Sequence, residues 1–347
     1  VDFKEGFLRN FGFVRFIILF LAINYFFYIS KKSNYVLITW SVIIFIVVFD
    51  SYFENFFGKN ILGYGDKYRT ANARIVSFFK DEAVVGGYLL GFIFIIIGFY
   101  YDKFKAQNFK FKILFFIITI LLLLCVLVTG ERANAIKSII AILIFVYLNQ
   151  NLSFKIKAIF TTLTVILSFL IISNSYYLKV RYYDQFISQF TNSEQGKLYL
   201  KQNMYFKIYK SSYEVFRNYP IFGVGNKNYR VVTTKYFENK NFESDENDIY
   251  FITTHPHQIY LEFLSEHGII GTIILLSIFF YLIFKNLKII ILSRNSLQLG
   301  CFAFLIVNFL PLIPSGSFFS DFNSNFFWLN LSILYACNAE TNLFNKN

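Results

Sequence analysis

Charged residues, cysteine, proline and histidine are all scarce in this chain. Only 16% of its 347 residues are charged, whereas 56% are apolar and 22% are aromatic, and this composition excludes an ordinary soluble domain. The three cysteines, Cys125, Cys301 and Cys337, do not have a spacing typical of disulfide frameworks or metal sites. Gly/Ser/Pro-rich linkers and internal repeats are absent as well, so we predict a single membrane domain over residues 1–347.

Long hydrophobic runs dominate what is present. Runs of close to twenty residues recur, and each is long enough to cross about 30 Å of hydrocarbon as a helix. The chain is therefore predicted to be all-α, a polytopic transmembrane helical bundle. About nine spans are predicted, at 11–29, 35–53, 83–101, 111–129, 132–149, 156–174, 258–284, 297–313 and 324–338.

Basic residues indicate how these spans are oriented. They cluster in four alternate loops, at Lys31/Lys32, Lys103/Lys105/Lys110/Lys112, Lys155/Lys157 and Lys285/Lys288/Arg294. Because cytoplasmic loops are enriched in Lys and Arg, we expect these loops to face the cytoplasm, and the net charge of +12 does not indicate nucleic-acid binding. Residues 175–256 then form one large external loop. Residue 1 would also lie outside, which predicts a fragment that lacks an odd number of upstream spans, three by our expectation.

This external loop contains a helical pattern followed by a turn. Apolar residues recur at helical spacing in "QGKLYLKQNMYFKIYKSSYEVFRNYP", with lysines around them, which predicts a short amphipathic helix. Such a helix lies along the membrane interface or, equally, packs inside a small external domain. Pro220 ends it, and Gly223 and Gly225 predict a tight turn with close backbone approach.

All three histidines lie in "HPHQIYLEFLSEHGIIG", residues 255–271. Proline favours the first helical position, so His255 is predicted as a helix N-cap and His257 in the first turn. There the helix dipole disfavours the protonated imidazole, which makes His257 a candidate base. His255 is more simply a cap or a solvated loop residue, and His267 a packing residue on a helix that continues through Gly268. The spacing matches no zinc pattern, so no metal site is predicted.

Arginines beside the predicted spans form a second candidate group. Arg132, in "LVTGERANAI", lies at an outer turn between two spans, and Arg74 ends an external loop just before a span, with Arg69 further out. The planar guanidinium matches the geometry of phosphate. Snorkelling to lipid headgroups explains any single arginine equally well, but two of them on the same side as His257 favour a phosphate site.

Taken in order, these segments resemble the O-antigen ligase and O-antigen polymerase superfamily, which includes the Wzy-type polymerases. "TGER" at 129–132 is similar to the family's Thr-Gly-Ser-Arg element, and "NYPIFGVGNKNY" at 218–229 to its Asn-x-Pro-x-x-Gly-x-Gly turn. "HQIYLEFLSEHGIIG" at 257–271 is similar to its His-Asn-x-x-Leu…Glu-x-Gly-x-x-Gly element, and the segment from Arg74 to Leu89 resembles an upstream arginine-containing segment. The resemblance covers about residue 70 to the C terminus, and it implies about twelve spans in the full protein.

The sequence departs from the family pattern at three places. Gln258 stands where Asn is common, and Glu131 replaces the Ser of Thr-Gly-Ser-Arg. The arginine that ligases often carry about fifteen residues before the Pro-Gly turn is absent, and its position is near Tyr205, between Lys201 and Lys207. The absence of this arginine favours a polymerase over a ligase.

The resemblance implies a membrane glycosyltransferase that needs no metal and no cofactor. It would act on the periplasmic face of the bacterial inner membrane, with an undecaprenyl-diphosphate-linked oligosaccharide as donor and another glycan, or lipid A core, as acceptor. A chain-length regulator is a candidate partner. The implied roles are those of general base for His257, of diphosphate ligands for Arg74 and Arg132, and of supporting residues for Lys201, Lys207, Gly223, Gly225 and Glu266.

Two other functions stay open at this stage. The closer one is an O-antigen ligase, which would transfer the glycan to lipid A core or to a protein hydroxyl. The more distant one is a small-solute transporter. Transporters place ionisable groups near the middle of the bilayer and often contain inverted repeats, whereas the polar groups here gather at the outer ends of the predicted spans.

Overall fold

The computed structural model describes residues 10–30, 32–65, 74–80, 82–105, 107–187, 203–238 and 252–345, and the regular elements in these ranges are all helices. Lys201 and Arg69 lie outside the described residues. The main helices are α1 (Val14–Ile29), α2 (Ser33–Phe57), α3 (Val85–Phe104), α4 (Phe109–Val128), α5 (Arg132–Leu148), α6 (Phe154–Asn174), α7 (Met204–Asn218), α8 (Tyr229–Glu238), α9 (Ile259–Phe284), α10 (Leu287–Leu292), α11 (Ser296–Asn308) and α12 (Asp321–Ala336). A short turn at Tyr176–Leu178 leads into a π-helix at Lys179–Ile187.

Each of the nine predicted spans coincides with one of these helices. Among the described residues six helical stretches are long and apolar enough to cross a membrane, namely α2, α3, α4, α6, α9 and the 20-residue stretch Asn10–Ile29, which contains α1. Helices α5, α11 and α12 contain 17, 13 and 16 residues, fewer than the roughly 20 that a spanning helix needs. The chain is therefore a polytopic α-helical membrane protein, and the number of nine spans stays a prediction.

The chain divides into two compact units, which are described separately. The first, called the histidine unit here, comprises Val1–Leu19, Gln189–Lys285 and Phe309–Trp328. The second, called the arginine unit, comprises Phe20–Ser188, Asn286–Asn308 and Leu329–Asn347. The predicted single domain and the bounds of the loop at 175–256 stay predictions.

Close helix packing characterises the arginine unit. A side chain at Gly98 of α3 would overlap the backbone of Ser296, and one at Gly300 of α11 would overlap the carbonyl of Phe94. The carboxylate of Asp102 accepts a hydrogen bond from the amide of Ser296 at 2.8 Å. In lipid the hydrophobic effect does not drive helices together, so association depends on close packing, and small residues let two helix backbones approach each other. These contacts fix α11 along α3.

A buried carboxylate holds the segment that precedes α3 in the arginine unit. Glu54, near the end of α2, is fully buried and accepts a hydrogen bond from the amide of Ser77 at 2.6 Å. Two residues earlier, the amide of Ile75 donates to the carbonyl of Thr129 at 3.1 Å. Arg74 is thereby fixed next to the turn at 129–132.

The amphipathic helix predicted in the loop is confirmed as α7 of the histidine unit. The side chain of Asn203 caps it by accepting from the amide of Tyr205 at 2.8 Å, and the helix ends at Asn218, just before Pro220. Helix α7 packs against α9 through a buried face. The buried residues of that face are Ile208, Ser211, Ser212 and Val215.

Phenylalanines form the core of the histidine unit. The ring centroid of Phe279, on α9, lies 5.1 Å from those of Phe318 and Phe327. The ring centroid of Phe263, near the start of the same helix, lies 5.3 Å from that of Phe318 in an edge-to-face arrangement. Aromatic pairs at such separations add to the gain from burial alone. The core positions the segment at 315–319 over the start of α9.

Candidate active site

The helix that follows the first two histidines begins later than the sequence predicted. Helix α9 starts at Ile259, and its N-cap is Gln258, whose Oε1 accepts from the amide of Leu261 at 2.8 Å. The predictions of His255 as N-cap and of His257 in the first turn were therefore wrong. The glutamine side chain is long enough to satisfy a free amide of the first turn, so Pro256 lies in the bend before the helix and not inside it.

His257 is held in a strained loop ahead of α9. Its φ of 54° is left-handed, a conformation that few residues other than glycine adopt. Its carbonyl accepts from the amide of Ser315 at 2.8 Å, and its ring centroid lies 3.9 Å from that of His255 and 5.8 Å from that of Tyr205. The backbone of His257 is thus fixed by Ser315, and its ring lies against His255 and Tyr205.

The environment keeps His257 neutral, for a reason other than the predicted one. Burial lowers the pKa of His257 from its ordinary value, and a hydrogen bond to the backbone of Ser315 opposes this only in part. Desolvation disfavours the charged form of a buried imidazole. A neutral ring able to accept a proton was expected from the dipole of a helix, but His257 lies outside the helix and burial is the cause.

His255 is a site residue that the sequence analysis underestimated. Burial, the neighbouring His257 and the charge of Lys227 lower the pKa of His255 to about 3. Its Nδ1 lies 3.0 Å from the hydroxyl of Thr254, while its Nε2 is buried and has no hydrogen-bond partner among the described residues. His255 therefore presents a second neutral imidazole beside His257.

Lys227 links three segments of this site and was also missed. Its φ of 63° is left-handed, and its Nζ donates to the hydroxyl of Ser317, which in turn donates to a carboxylate oxygen of Glu262. The other oxygen of Glu262 accepts from the amide of Phe318 at 2.8 Å. No local pattern pairs Lys227 with Glu262, so the sequence offered no signal for this contact.

Helix α9 is interrupted at Gly268, where a continuous helix was predicted. Gly268 has φ 63° and ψ −174°, and a side chain there would overlap the backbone of Ile221. In return, a side chain at Gly223 would overlap the backbone of Glu266. The predicted tight turn is confirmed, since Gly223 and Gly225 have φ of 67° and 91°. The segments 218–229 and 257–271, which carry the second and third family-like motifs, therefore contact each other backbone to backbone.

Four backbone hydrogen bonds replace the helical ones that are lost where α9 is interrupted. In an unbroken helix the amides of residues 269 and 270 would bond to the carbonyls of residues 265 and 266. Here all four groups bond to the segment at 220–225 instead, as irregular backbone at a membrane requires. The bonds run from Ile269 to Pro220 (2.8 Å), from Ile270 to Ile221 (3.3 Å), from Val224 to Ser265 (3.0 Å) and from Gly225 to Glu266 (2.7 Å).

The side chains on either side of the interruption are buried. Glu266 is fully buried, and its carboxyl faces the backbone amides of Lys227 and Tyr229, without a hydrogen bond of ordinary geometry among the described residues. The ring of His267 lies 5.1 Å from that of Phe319 and 6.3 Å from that of Phe263. The position of His267 agrees with the packing role expected for it.

Of the two lysines named as supporting residues, only Lys207 lies in the described part of the chain. It is half-buried on α7, two residues after Tyr205. Two residues are about 200° apart around an α-helix, so Lys207 points away from the side on which Tyr205 meets His257. The structure does not bring Lys207 to the imidazole.

The arginine unit places Arg74 and Arg132 around one tyrosine, together with a third arginine. Burial is the main cause that raises the pKa of Tyr182, and four nearby charges also act on it. In decreasing order of effect these are Arg181, Glu131, Arg132 and Arg74. The three arginines lower the pKa of Tyr182, and Glu131 raises it. The two arginines predicted from sequence are thus brought into one cluster, and Arg181 was missed because it lies in the loop at 175–256 without a motif.

The three arginines differ in how their donors are used. Arg181 is buried and braces the turn at 129–132, with Nε donating to the carbonyl of Gly130 at 2.9 Å. Arg132 donates from Nη1 to the carbonyl of Gln185 at 2.8 Å. Arg74 is half-buried, and its Nε is enclosed without a hydrogen-bond partner in the described ranges. Arg74 therefore offers a donor that an anion would satisfy.

Glu131, the residue that departs from the family's Ser, has a clear structural role. Its carboxylate accepts from the amide of Gly86 and from the side chain of Asn134, both at 2.6 Å. Burial raises the pKa of Glu131, while these hydrogen bonds and the charge of Arg74 act in the opposite direction. Glu131 joins the first turn of α3 to the turn at 129–132 and lies near Arg74.

Within the described ranges no three His, Cys, Asp or Glu side chains converge as ligands for one ion. Independence from metals and cofactors stays a prediction about the reaction.

Comparison with known proteins gives a family match for this polytopic helical membrane protein. The family model described as O-antigen ligase matches residues 117–276, a stretch slightly shorter than half the chain that contains all three motifs. The match supports the assignment to the O-antigen ligase and polymerase superfamily that the resemblance predicted, and it supports a membrane enzyme that processes O-antigen or a related glycan. Arg74 lies outside the matched residues. No curated protein and no solved structure gives a significant match.

Proposed function

We propose that this protein is a glycosyltransferase that polymerises undecaprenyl-diphosphate-linked repeat units on the periplasmic face of the inner membrane. The family supports an enzyme that handles lipid-linked glycans. The observation that carries the proposal is the neutral, half-buried imidazole of His257, held by a strained backbone outside any helix. Strain at a titratable residue is typical of functional sites.

In the proposed reaction His257 acts as the general base. The imidazole takes the proton of an acceptor hydroxyl as that oxygen attacks the anomeric carbon of the donor. The bond between this carbon and the diphosphate oxygen breaks, and its electron pair leaves with the lipid diphosphate. The configuration at the anomeric carbon inverts because attack comes from the opposite face. A protonated ring could not accept the hydroxyl proton, so the lowered pKa of His257 serves this step.

Arg74 and Arg132 are proposed to bind the leaving diphosphate. The guanidinium fork matches phosphate oxygens in pairs, and fixed positive charge stabilises the charge that develops on the leaving group. The enclosed Nε of Arg74, unpaired among the described residues, supports this role. Gly223, Gly225 and Glu266 would support the reaction indirectly through the interruption of α9, and Lys201 and Lys207 stay candidate contacts to the substrate.

Ligation to lipid A core is the second candidate, because the matching family is described as O-antigen ligase. The donor, the base and the diphosphate ligands would be the same. Only the acceptor differs, and it is recognised by the shape of the loops.

The decisive experiment offers both acceptors to the purified protein. A synthetic undecaprenyl-diphosphate repeat is incubated with wild type and with His257→Asn, with and without lipid A core. A polymerase yields a ladder of longer lipid-linked glycans from the donor alone, whereas a ligase yields product only with lipid A core. If folded wild type forms neither product from a donor whose sugar matches the native repeat, the proposed function is wrong.

A further inference from the structure

A cavity of about 260 Å³ lies in the arginine unit, at the ends of α3 and α4 far from the arginine cluster. It is lined near the end of α3 and the beginnings of α4 and α6. Helix α4 contains 20 residues, so about 30 Å separates its first turn, at the cavity, from the turn at 129–132. The cavity is therefore distinct from the diphosphate site proposed above.

Aromatic rings form one wall of this cavity. Tyr101 and Phe115 are edge-to-face with centroids 5.4 Å apart, and Phe104 lies 6.4 Å from Phe115. Phe116 continues the wall and contacts Phe160 on α6 at 5.6 Å. The wall is rigid and apolar, so it suits the glycerol backbone or upper acyl carbons of a lipid.

Three nitrogen donors line the same cavity. Lys112 is exposed on the first turn of α4, and Lys105 reaches the cavity while its Nζ donates to Asp102 at 2.8 Å. The side-chain Nδ2 of Asn151 is buried and has no hydrogen-bond partner in the described part of the chain. An enclosed donor without a partner is costly, and an oxygen ligand in the cavity would remove that cost.

Exposed apolar side chains lie next to the cavity in the sequence. Phe111 is 43% exposed, Phe154 is 75% exposed and Ile156, which lines the cavity, is 40% exposed. In a membrane protein such side chains at helix ends contact acyl chains. Lys155, also exposed, lies between Phe154 and Ile156, so positive charge and apolar surface alternate at the rim.

We propose that this cavity binds the headgroup of an anionic phospholipid, with the phosphate between Lys112 and Asn151 and the acyl chains along the exposed apolar rim. The ammonium of Lys112 and the unpaired amide of Asn151 select an anion, since the charge of Lys105 is balanced by Asp102, and a lysine ammonium binds phosphate well as a point charge. The aromatic wall and the rim add contacts that a free phosphate ion would leave unused, which assigns the site to a lipid.

The test measures lipid binding to the purified full chain by native mass spectrometry. The probes are phosphatidylglycerol and phosphatidylcholine with identical acyl chains, and inorganic phosphate serves as competitor. Wild type should retain one phosphatidylglycerol in preference to phosphatidylcholine. Lys112→Gln should weaken the retained phosphatidylglycerol about tenfold or more, the loss expected for one charge-assisted hydrogen bond. Asn151→Leu should also weaken binding, and Lys112→Arg should retain it.

Lys110→Gln is the matched control. Lys110 is exposed on the same first turn but does not line the cavity, so its loss should leave binding unchanged. Equal losses in Lys110→Gln and Lys112→Gln would show general attraction to basic loops and overturn the proposal. Equal retention of phosphatidylcholine would also overturn it, as would displacement of the lipid by millimolar inorganic phosphate, which would make the ligand a free anion. Thermal unfolding of each variant confirms that it is folded.

Discussion

Replacement of His257 by asparagine should abolish polymer formation and leave the protein folded. Asparagine is chosen over alanine because it tolerates the left-handed backbone that His257 adopts, at φ 54°. The hydrogen bond from the amide of Ser315 to the carbonyl of residue 257 does not depend on the side chain, and Gln258 supplies the helix cap independently. Little structural cost is therefore expected.

The expected loss of rate follows from the role of the imidazole. A positioned general base contributes roughly 10²–10⁴-fold to the rate, which corresponds to about 3–5 kcal/mol of transition-state free energy. Because the ring of His257 lies against those of His255 and Tyr205, whereas the helix cap is made by the side chain of Gln258, the loss should fall on turnover while donor binding is retained. Initial rates at saturating donor, together with a separate donor-binding assay, measure the two effects.

The pH dependence supplies an independent check on the same residue. Burial lowers the folded-state pKa of His257 below the unfolded value of about 6.5. The neutral base is therefore the main form at pH 7, and activity should fall as the pH drops through the lowered pKa. Folding stability should fall in the same direction below about pH 6.5, because the unfolded chain binds protons that buried His255 and His257 do not.

The matched control is His255→Asn, which removes the neighbouring ring from the same loop. We expect a smaller loss, because His255 would act on the position of His257 and not on the acceptor proton. If His257→Asn polymerises within a few-fold of wild type while His255→Asn is inactive, the base has been assigned to the wrong histidine. An activity that rises as the pH falls below 6 would contradict the neutral-base mechanism altogether.

Three other experiments test separate parts of the structure. Arg132→Lys keeps the charge but loses the bidentate fork, so turnover should fall at least about tenfold, and an unchanged rate at saturating donor would indicate a headgroup anchor. Gly223→Ala should lower the unfolding free energy by about 1–3 kcal/mol, because φ is 67° and the new methyl meets the backbone of α9. The control Gly12→Ala, with nothing within 4 Å, should be neutral in the same thermal unfolding assay. A cysteine at exposed Arg217 should react with an impermeant thiol reagent in intact spheroplasts and one at exposed Ser153 should not; the reverse pattern would invert the predicted topology.

The helices were predictable because the length of an apolar run and the period of an amphipathic one are local properties. The positions of α2, α3, α6 and α7 follow from these two patterns alone. The shortness of α11 was not predictable, since Phe309 and the residues after it continue the apolar run without forming the helix. An apolar run indicates that a segment is buried in lipid or protein, but it does not determine where the helical hydrogen bonding ends.

Residues of the candidate site could be predicted only where a residue type in a given position suggests one kind of ligand. Arg74 and Arg132 were found because arginine at a helix end near a membrane suggests phosphate. The contact of Lys227 with Glu262 through Ser317 depends on three segments that are distant in sequence. The N-cap was misplaced because Pro256 and Gln258 carry competing local signals, and the side chain of Gln258 prevails in the folded chain.

The order in which the chain is synthesised bears on how the interruption of α9 at Gly268 can form. The segment at 220–225 supplies the bonding partners of the interrupted backbone, and it precedes α9 in the chain, so it leaves the ribosome first. When residues 265–270 emerge, the partners for their carbonyls and amides already exist. Without that segment, these amides and carbonyls could pair only with one another, as in a continuous helix. The order of the chain therefore makes the bonding partners of the interruption available before α9 is complete.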